Sequence, residues 1–347
     1  MAAKPSFAFQ WHITDACDQR CKHCYIFSED ECKQLDSMTW PQLESTFFNC
    51  LDFCEVYGRT PHFYITGGDP ILHPDFWRLL ELLHEHDAGF TVMGNPFHLT
   101  DEACAHMKAL GCAKYQLSLD GMEATHDWFR KPGSFRATLD AIDVVNRAGL
   151  TSVVMTTVSA ANIDEVPAVI DTVAAHDVSV YAFARYCPTS DEKDVGVTPE
   201  RYRQLLADCD AAFKRHAAAG CRTFFNKKDH LWTLYDYETG AFTPPADARP
   251  GMVYGGCNCG NCHLTILPTG EVYACRRVDG SCVGNVLEDR LADVWVCGME
   301  AYRNFAAFEK CARCELGAYC RGCPAVAAGS TGGNFYAADP QCWKEVA

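Results

Sequence analysis

Short apolar runs alternate along the first 220 residues with longer segments whose apolar residues recur at helical spacing. The runs predict six β-strands, at residues 7–13, 62–66, 90–94, 114–120, 151–158 and 178–184. The longer segments predict helices at residues 39–57, 74–86, 100–110, 134–148, 163–175 and 199–219. Strands that alternate with helices indicate an α/β fold with a parallel sheet. Six such units fit a partial barrel or a doubly wound sheet, and nearly continuous apolar strands indicate cover on both faces.

The alternation stops after Gly220, where the chain becomes rich in cysteine and glycine. The stretch LTILPTGEVYAC, at residues 264–275, predicts a β-hairpin within this part. We therefore predict two domains, at residues 1–220 and 221–347, and the second includes a linker that extends to about residue 250.

The composition of the chain excludes several classes of protein. Of 347 residues, 48% are hydrophobic and 22% charged, which is enough apolar material for a large core. The net charge of −15 argues against a nucleic-acid partner, since such a protein needs a basic face. No apolar segment approaches the roughly 20 residues that span a bilayer. The first residues, MAAKPSFAFQW, lack the apolar region of a signal peptide, so we expect no membrane partner and a cytoplasmic location.

The chain contains 22 cysteines, far more than a cytoplasmic protein needs for packing. Disulfide scaffolds are small and secreted, so this number points instead to metal binding or catalysis. Six cysteines lie in helical patterns and are interpreted as small core residues: Cys50, Cys54, Cys104, Cys112, Cys209 and Cys221. The closely spaced ones fall into three groups, at residues 17–24, 257–282 and 311–342.

The stretch TDACDQRCKHCY places Cys17, Cys21 and Cys24 directly after the first predicted strand. This is the carboxyl end of the sheet, where α/β folds carry their chemistry. A structural zinc site needs four ligands, whereas three thiolates also suit an iron–sulfur cluster with one open iron.

This stretch resembles the CX3CX2C-aromatic motif of the radical S-adenosylmethionine (SAM) superfamily. The resemblance implies a partial (β/α)6 barrel of the TIM type and a 4Fe–4S cluster held by these three cysteines. It also implies that the open iron binds the amino and carboxylate groups of SAM. Reductive cleavage of SAM then gives a 5′-deoxyadenosyl radical that takes hydrogen from the substrate.

Two further motifs agree with this resemblance. ITGGDP, at residues 65–70, resembles the GGEP motif that holds the SAM amino group, with Asp69 in place of the usual Glu. LSLDG, at residues 117–121, resembles the segment near the SAM ribose and carboxylate. The residues that the resemblance implies as SAM contacts are Tyr25, Gly67, Gly68, Asp69, Ser118, Asp120, Arg130 and Arg185. A strand-ending turn, helix caps and solvated arginines are the alternatives for these positions.

The C-terminal cysteines resemble the SPASM extension, which holds two auxiliary 4Fe–4S clusters, although two residues rather than three separate Cys320 from Cys323. The resemblance implies a distal cluster on Cys311, Cys314, Cys320 and Cys342. It implies a nearer cluster on Cys257, Cys275 and Cys323, with Cys262 preferred as the fourth ligand and Cys259 or an open iron as alternatives. Two zinc ribbons are the competing interpretation.

Enzymes with a SPASM domain mostly modify peptides, so the resemblance implies a maturase of a ribosomally made peptide that forms a thioether or carbon–carbon crosslink. Cys187, two residues after Arg185, is a candidate catalytic residue that faces the substrate, or else a buried strand-end cysteine. The implied partners are a precursor peptide and an electron donor such as flavodoxin or ferredoxin. The alternatives are a sulfatase-type maturase that makes formylglycine, and an iron–sulfur or zinc protein for electron transfer without SAM.

Overall fold

The computed structural model describes residues 4–27, 35–188, 196–247 and 252–346, so residues 248–251 of the predicted linker lie outside it. The six predicted strands are present: β1 Ser6–Thr14, β2 Thr60–Gly67, β3 Gly89–Met93, β4 Lys114–Ser118, β5 Thr151–Val158 and β6 Val180–Arg185. The helices of this part are α1 Trp40–Val56, α2 Phe76–Glu85, α3 Asp101–Ala109, α4 Glu123–Phe129, α5 Ser134–Arg147, α6 Val166–Ala175 and α7 Pro199–Ala218. Helix α4 was not predicted, because seven residues are too few for a clear periodic pattern.

The last third of the chain contains shorter elements. They are β7 Phe224–Asn226, α8 Trp232–Glu238, β8 His263–Ile266, β9 Glu271–Tyr273, β10 Cys282–Asn285, α9 Leu291–Cys297 and α10 Pro324–Thr331. Strands β8 and β9 pair antiparallel, which confirms the predicted hairpin.

The ten strands of the described residues form one sheet in the order β10-β9-β8-β1-β2-β3-β4-β5-β6-β7. The pairs from β8 through β1 to β7 are parallel, as the alternation of strands and helices predicted. Strand β8 lies beside β1, with Ala8 opposite His263, so the C-terminal third continues the sheet of the first domain. Strand β7 extends the other edge next to β6.

The strands bury one face fully and the other only in part. On β1, Phe7, Phe9 and Trp11 are at most 1% exposed and pack toward α1, where the ring of Phe53 lies 4.5 Å from that of Phe7. On β5, buried and half-buried residues alternate along the whole strand. The expected apolar cover on both faces was therefore wrong in part, because the second face carries half-buried polar residues such as Gln10.

The carboxyl ends of the parallel strands lie at one edge of the sheet. The cysteine loop follows β1, the glycine–aspartate turn follows β2, Asp120 comes two residues after β4, and Cys187 comes two residues after β6. The fold thus collects the predicted chemistry at this edge. No helix among the described residues has both the length and the apolar composition needed to cross a bilayer.

Candidate metal and cofactor site

The three cysteines after β1 are half-buried, and we refer to Cys17, Cys21 and Cys24 as the loop cysteines. The Cys17 sulfur accepts hydrogen bonds from the backbone N–H of Gln19 at 3.4 Å and from Asn95 Nδ2 at 3.2 Å. Donors of this kind stabilise a thiolate and tune a metal centre that it binds.

The loop cysteines fit a metal cluster chemically. Burial raises the pKa of Cys21 to about 11, although Arg130 opposes this rise. The free thiol is therefore protonated at neutral pH, and metal binding releases its proton. Among the described residues, no three cysteine sulfurs lie within 4.8 Å of one another. Four thiolates on one zinc ion would lie about 3.8 Å apart, from a Zn–S bond of about 2.3 Å, and no three of the described cysteine sulfurs have this spacing.

The turn after β2 packs directly against the cysteine loop. The N–H of Gly68 donates to the carbonyl of Thr14 at 2.8 Å, and that of Asp69 donates to the carbonyl of Ala16 at 2.7 Å. A Cβ on Gly67 would lie 2.0 Å from the Thr14 oxygen, and one on Gly68 would lie 2.3 Å from the Ala16 oxygen. Both positions therefore require glycine, because the two backbones touch there.

The Asp69 carboxyl is buried behind this turn. Its Oδ1 accepts from the backbone N–H of Asn95 at 3.4 Å, whereas its Oδ2 has no hydrogen-bond partner among the described residues. Burial raises the pKa of Asp69 to about 7. A buried carboxylate oxygen without a partner is costly unless a ligand supplies a donor, so this site fits the amino group of a ligand such as SAM.

Asp120 and Arg130 form a buried ion pair beside the loop. Both Arg130 Nε and Nη2 lie 2.7 Å from Asp120 Oδ2, and the N–H of Thr157 donates to Oδ1 at 2.8 Å. Burial alone would raise the pKa of Asp120, but Arg130 and His23 outweigh it and lower the pKa. Arg130 Nη1 lies 3.8 Å from the Cys21 sulfur, so the pair supports the loop.

The other predicted SAM contacts lie at the same edge. Ser118 ends β4 and is half-buried. The Tyr25 hydroxyl lies 3.5 Å from His12 Nε2, and the Arg276 guanidinium lies 4.7 Å from the centre of the Tyr25 ring. Tyr25 therefore connects the cysteine loop with the C-terminal third of the chain.

Arg185 lies in a buried ion-pair cluster with two aspartates, which we call the Arg185 cluster. Its Nε is 2.9 Å from Asp229 Oδ2 and its Nη1 is 2.7 Å from Asp339 Oδ1. The Asp339 Oδ2 accepts the backbone N–H of Cys323 at 2.7 Å. These contacts join the end of β6 to the C-terminal cysteines. The predicted contact of Arg185 with SAM stays a prediction.

The C-terminal cysteines gather into two sets. The distal set has the four cysteines predicted for the distal cluster, and Cys311 and Cys320 have other members of the set as electrostatic neighbours. The proximal set, Cys257, Cys275 and Cys323, is also brought together. Cys259 lies with the proximal set, whereas the charged neighbour of Cys262 is Arg59, just before β2.

Four of the predicted metal ligands share one local contact. In each, the cysteine sulfur accepts a hydrogen bond from the backbone N–H two residues later. The pairs are Cys17 with Gln19, Cys257 with Cys259, Cys275 with Arg277 and Cys320 with Gly322. Such bonds stabilise thiolate ligands and influence the reduction potential of an iron–sulfur cluster.

Sequence reasoning missed two charged or polar residues of the site. Asn95 follows β3 at the carboxyl edge and contacts both Cys17 and Asp69, so its place after a strand was a usable signal. Arg277 lies near Cys187, Cys323, Cys275 and Tyr25. Apart from Cys275, two residues before it, the neighbours of Arg277 come from distant segments, so no local pattern marked its role.

Comparisons with known proteins agree with this geometry. The model of the radical SAM superfamily matches residues 11–173, and that of the SPASM iron–sulfur cluster-binding domain matches residues 257–324. The chain is 26% identical to the AdoMet-dependent heme synthase of Nitratidesulfovibrio vulgaris, covering 96% of this chain and 90% of that protein. It is 29% identical to the mycofactocin maturase MftC of Mycolicibacterium smegmatis, covering 96% and 81%.

Two solved structures share the fold. The structure of Streptococcus suis SuiB bound to S-adenosylmethionine superposes with a TM-score of 0.75 at 16% identity, covering 99% of this chain and 78% of that one. The structure of anSMEcpe with bound AdoMet superposes with a TM-score of 0.76 at 17% identity, covering 97% and 91%.

Proposed function

We propose that this chain, a member of the radical SAM superfamily with a C-terminal SPASM domain, modifies a ribosomally made peptide by radical chemistry. The observation that carries the SAM part is the buried, unpartnered Oδ2 of Asp69 beside the loop cysteines. The peptide part is supported by the similarity to the maturase MftC and to the sporulation killing factor maturation protein SkfB of Bacillus subtilis, which is 24% identical over 81% of this chain.

In this proposal, the residues at the carboxyl edge of the sheet bind and orient the cofactors. The loop cysteines hold a 4Fe–4S cluster, and Asp69 accepts the N–H groups of the SAM amino group. When bound, the reduced cluster and SAM supply a 5′-deoxyadenosyl radical that removes a hydrogen atom from the substrate. Asp120 keeps Arg130 charged beside Cys21, while Gly67 and Gly68 let the backbone approach the site closely.

The two C-terminal sets of cysteines hold auxiliary clusters in this proposal. The distal set supplies four thiolates, as a closed 4Fe–4S site requires, and the proximal set supplies three. The chain then binds three clusters, or about twelve irons. Flavodoxin or ferredoxin is the class of electron donor that we propose.

We propose a thioether or carbon–carbon crosslink as the product, with formylglycine formation as the alternative within peptide chemistry. The test combines anaerobically reconstituted protein, SAM and dithionite with short peptides encoded beside the gene. We expect 5′-deoxyadenosine and, for a crosslink, a peptide lighter by two hydrogen atoms in mass spectrometry. The Asp69→Asn variant and the triple alanine variant of the loop cysteines are the controls. Protein with three clusters that forms no 5′-deoxyadenosine would contradict the proposal.

A second candidate function is a step of haem synthesis, because the similarity to the AdoMet-dependent heme synthase also covers 96% of this chain. In a second set of the same reaction mixtures, an iron porphyrin with propionate groups replaces the peptide as the substrate. Haem formation without any change in peptide mass would favour this second function. A modified peptide and an unchanged porphyrin would favour the first.

A further inference from the structure

Cys187 lies at the junction between the partial barrel and the C-terminal cysteines. It follows Arg185, which ends β6, by two residues. Its thiol donates to the carbonyl oxygen of Arg185 at 3.8 Å, and the thiol of Cys323, a member of the proximal set, is its neighbour on the side of the C-terminal cysteines. Cys275 and the guanidinium of Arg277 are further neighbours of Cys187. A thiol from the barrel is thus in contact with a set that lacks one ligand.

Two independent contacts fix this position, one on each side of Cys187. Before it, Arg185 binds Asp339, and Asp339 also accepts the backbone N–H of Cys323. After it, helix α10 packs onto the carbonyl of Pro188, where a Cβ on Gly329 would lie only 2.1 Å from the oxygen. The backbones that carry Cys187 and Cys323 are therefore held together by groups other than the two thiols.

Of the two fourth ligands weighed from the sequence, Cys262 is placed away from the proximal set and Cys259 beside it. Cys262 lies beside Arg59 at the start of β8, where its carbonyl accepts the N–H of Ala8 at 2.9 Å. Cys259 is buried next to the proximal set, but its backbone N–H already donates to the sulfur of Cys257. The side chain of Cys259 has Cys257, Cys275 and Cys323 as its nearest charged neighbours, so Cys259 is the competing ligand that the test below includes.

We propose that Cys187 is the fourth protein ligand of the nearer auxiliary cluster, together with Cys257, Cys275 and Cys323. This inference rests on the proposed function, since it requires that the proximal set holds a cluster. Coordination forms one Fe–S bond and releases the thiol proton of Cys187 to solvent, and no oxidation state changes. Arg277 balances part of the negative charge of the thiolates. The cluster then joins the barrel and the SPASM domain through a covalent bond to iron.

The test uses full-length protein in which the loop cysteines are changed to alanine, so that only auxiliary clusters remain. This parent should bind about eight irons. When Cys187→Ala is added to this parent, we expect one iron of the nearer cluster to lack a protein ligand. Mild oxidation should then remove that iron, which leaves about seven irons and gives the EPR signal of a three-iron cluster. Cys262→Ala and Cys221→Ala should behave like the parent.

Cys187→Ser tests the same ligand without opening the site. An oxygen ligand should shift the iron–ligand bands in resonance Raman spectra while the iron content stays at that of the parent. The proposal is overturned if Cys259→Ala gives the three-iron signal and Cys187→Ala does not, or if Cys187→Ser leaves the spectrum unchanged. A parent that binds no iron overturns the auxiliary clusters themselves, and this outcome is distinct because it appears before Cys187 is changed.

Discussion

Asp69→Asn removes the charge of the buried carboxyl group and keeps its shape. A rise in pKa from 3.8 to about 7 means that keeping this carboxylate ionised costs about 4 kcal/mol in the folded protein. The asparagine avoids that cost but leaves a buried amide group unpaired, which costs about 1–3 kcal/mol. Without SAM, the variant should therefore be more stable than the wild type at pH 8, by about 1–3 kcal/mol.

The sign of the pH dependence follows from the direction of the shift. Because the folded pKa of Asp69 lies above the unfolded value, the folded protein holds this proton more tightly. The wild type should lose stability relative to Asp69→Asn as the pH rises from about 4 through the folded pKa of about 7, with no further change above about pH 8. Anaerobic thermal unfolding of both reconstituted proteins at pH 5, 7 and 8, with exposed Glu44→Gln as control, measures this difference.

SAM binding should change in the opposite direction. A hydrogen bond to a charged acceptor is stronger than a neutral one by about 1–1.5 kcal/mol, so Asp69→Asn should weaken SAM binding by about 5–10-fold. The affinity of the wild type should fall below pH 7, whereas that of the variant should not. Equilibrium dialysis with the cluster oxidised measures binding without cleavage. A variant that is less stable at pH 8 and binds SAM as tightly as the wild type would refute this reasoning.

Three further predictions concern the cysteines and the ion pairs that hold them. The triple alanine variant of the loop cysteines should lose SAM cleavage, measured as 5′-deoxyadenosine, and retain about eight of about twelve irons; full cleavage would contradict the assignment. The double variant Cys311→Ala with Cys314→Ala should keep part of this SAM cleavage but lose most of the peptide product in mass spectrometry. Circular dichroism must first show that the variant is folded. Product formation at the wild-type rate would make the distal set purely structural. Arg185→Met leaves two buried carboxylates without their cation and should lower the free energy of unfolding by about 3–5 kcal/mol, seen as a lower Tm. An unchanged Tm would show that the Arg185 cluster contributes little to stability.

The parts of the site that the sequence predicted are encoded locally. The loop cysteines occupy eight consecutive residues, and Gly67–Asp69 follow a strand whose apolar run is evident. Spacing therefore singled out the loop cysteines as candidate ligands, and the alternation of strands and helices predicted their place at one edge of the sheet. The helical cover of the sheet was predictable for the same reason, because an amphipathic pattern lies within one segment.

The parts that escaped prediction depend on pairs that are distant in the chain. Arg185 and Asp339 are 154 residues apart, so no local pattern links them. Cys187 and Cys323 are likewise distant in the chain. The polar inner face of the barrel was also missed, because half-buried strands with a few polar residues have nearly the same composition as strands that are covered on both faces.

The pairing of β8 with β1 means that the two domains are not separable modules. Strand β1 carries Phe7, Phe9 and Trp11 and has neighbours on both sides, β2 and β8. Deleting the chain after β7 would turn β1 into an exposed edge strand, and such edges recruit other chains and aggregate. A lineage could therefore exchange loops or cysteines within the C-terminal third, but it could lose the whole of it only by evolving another cover for β1.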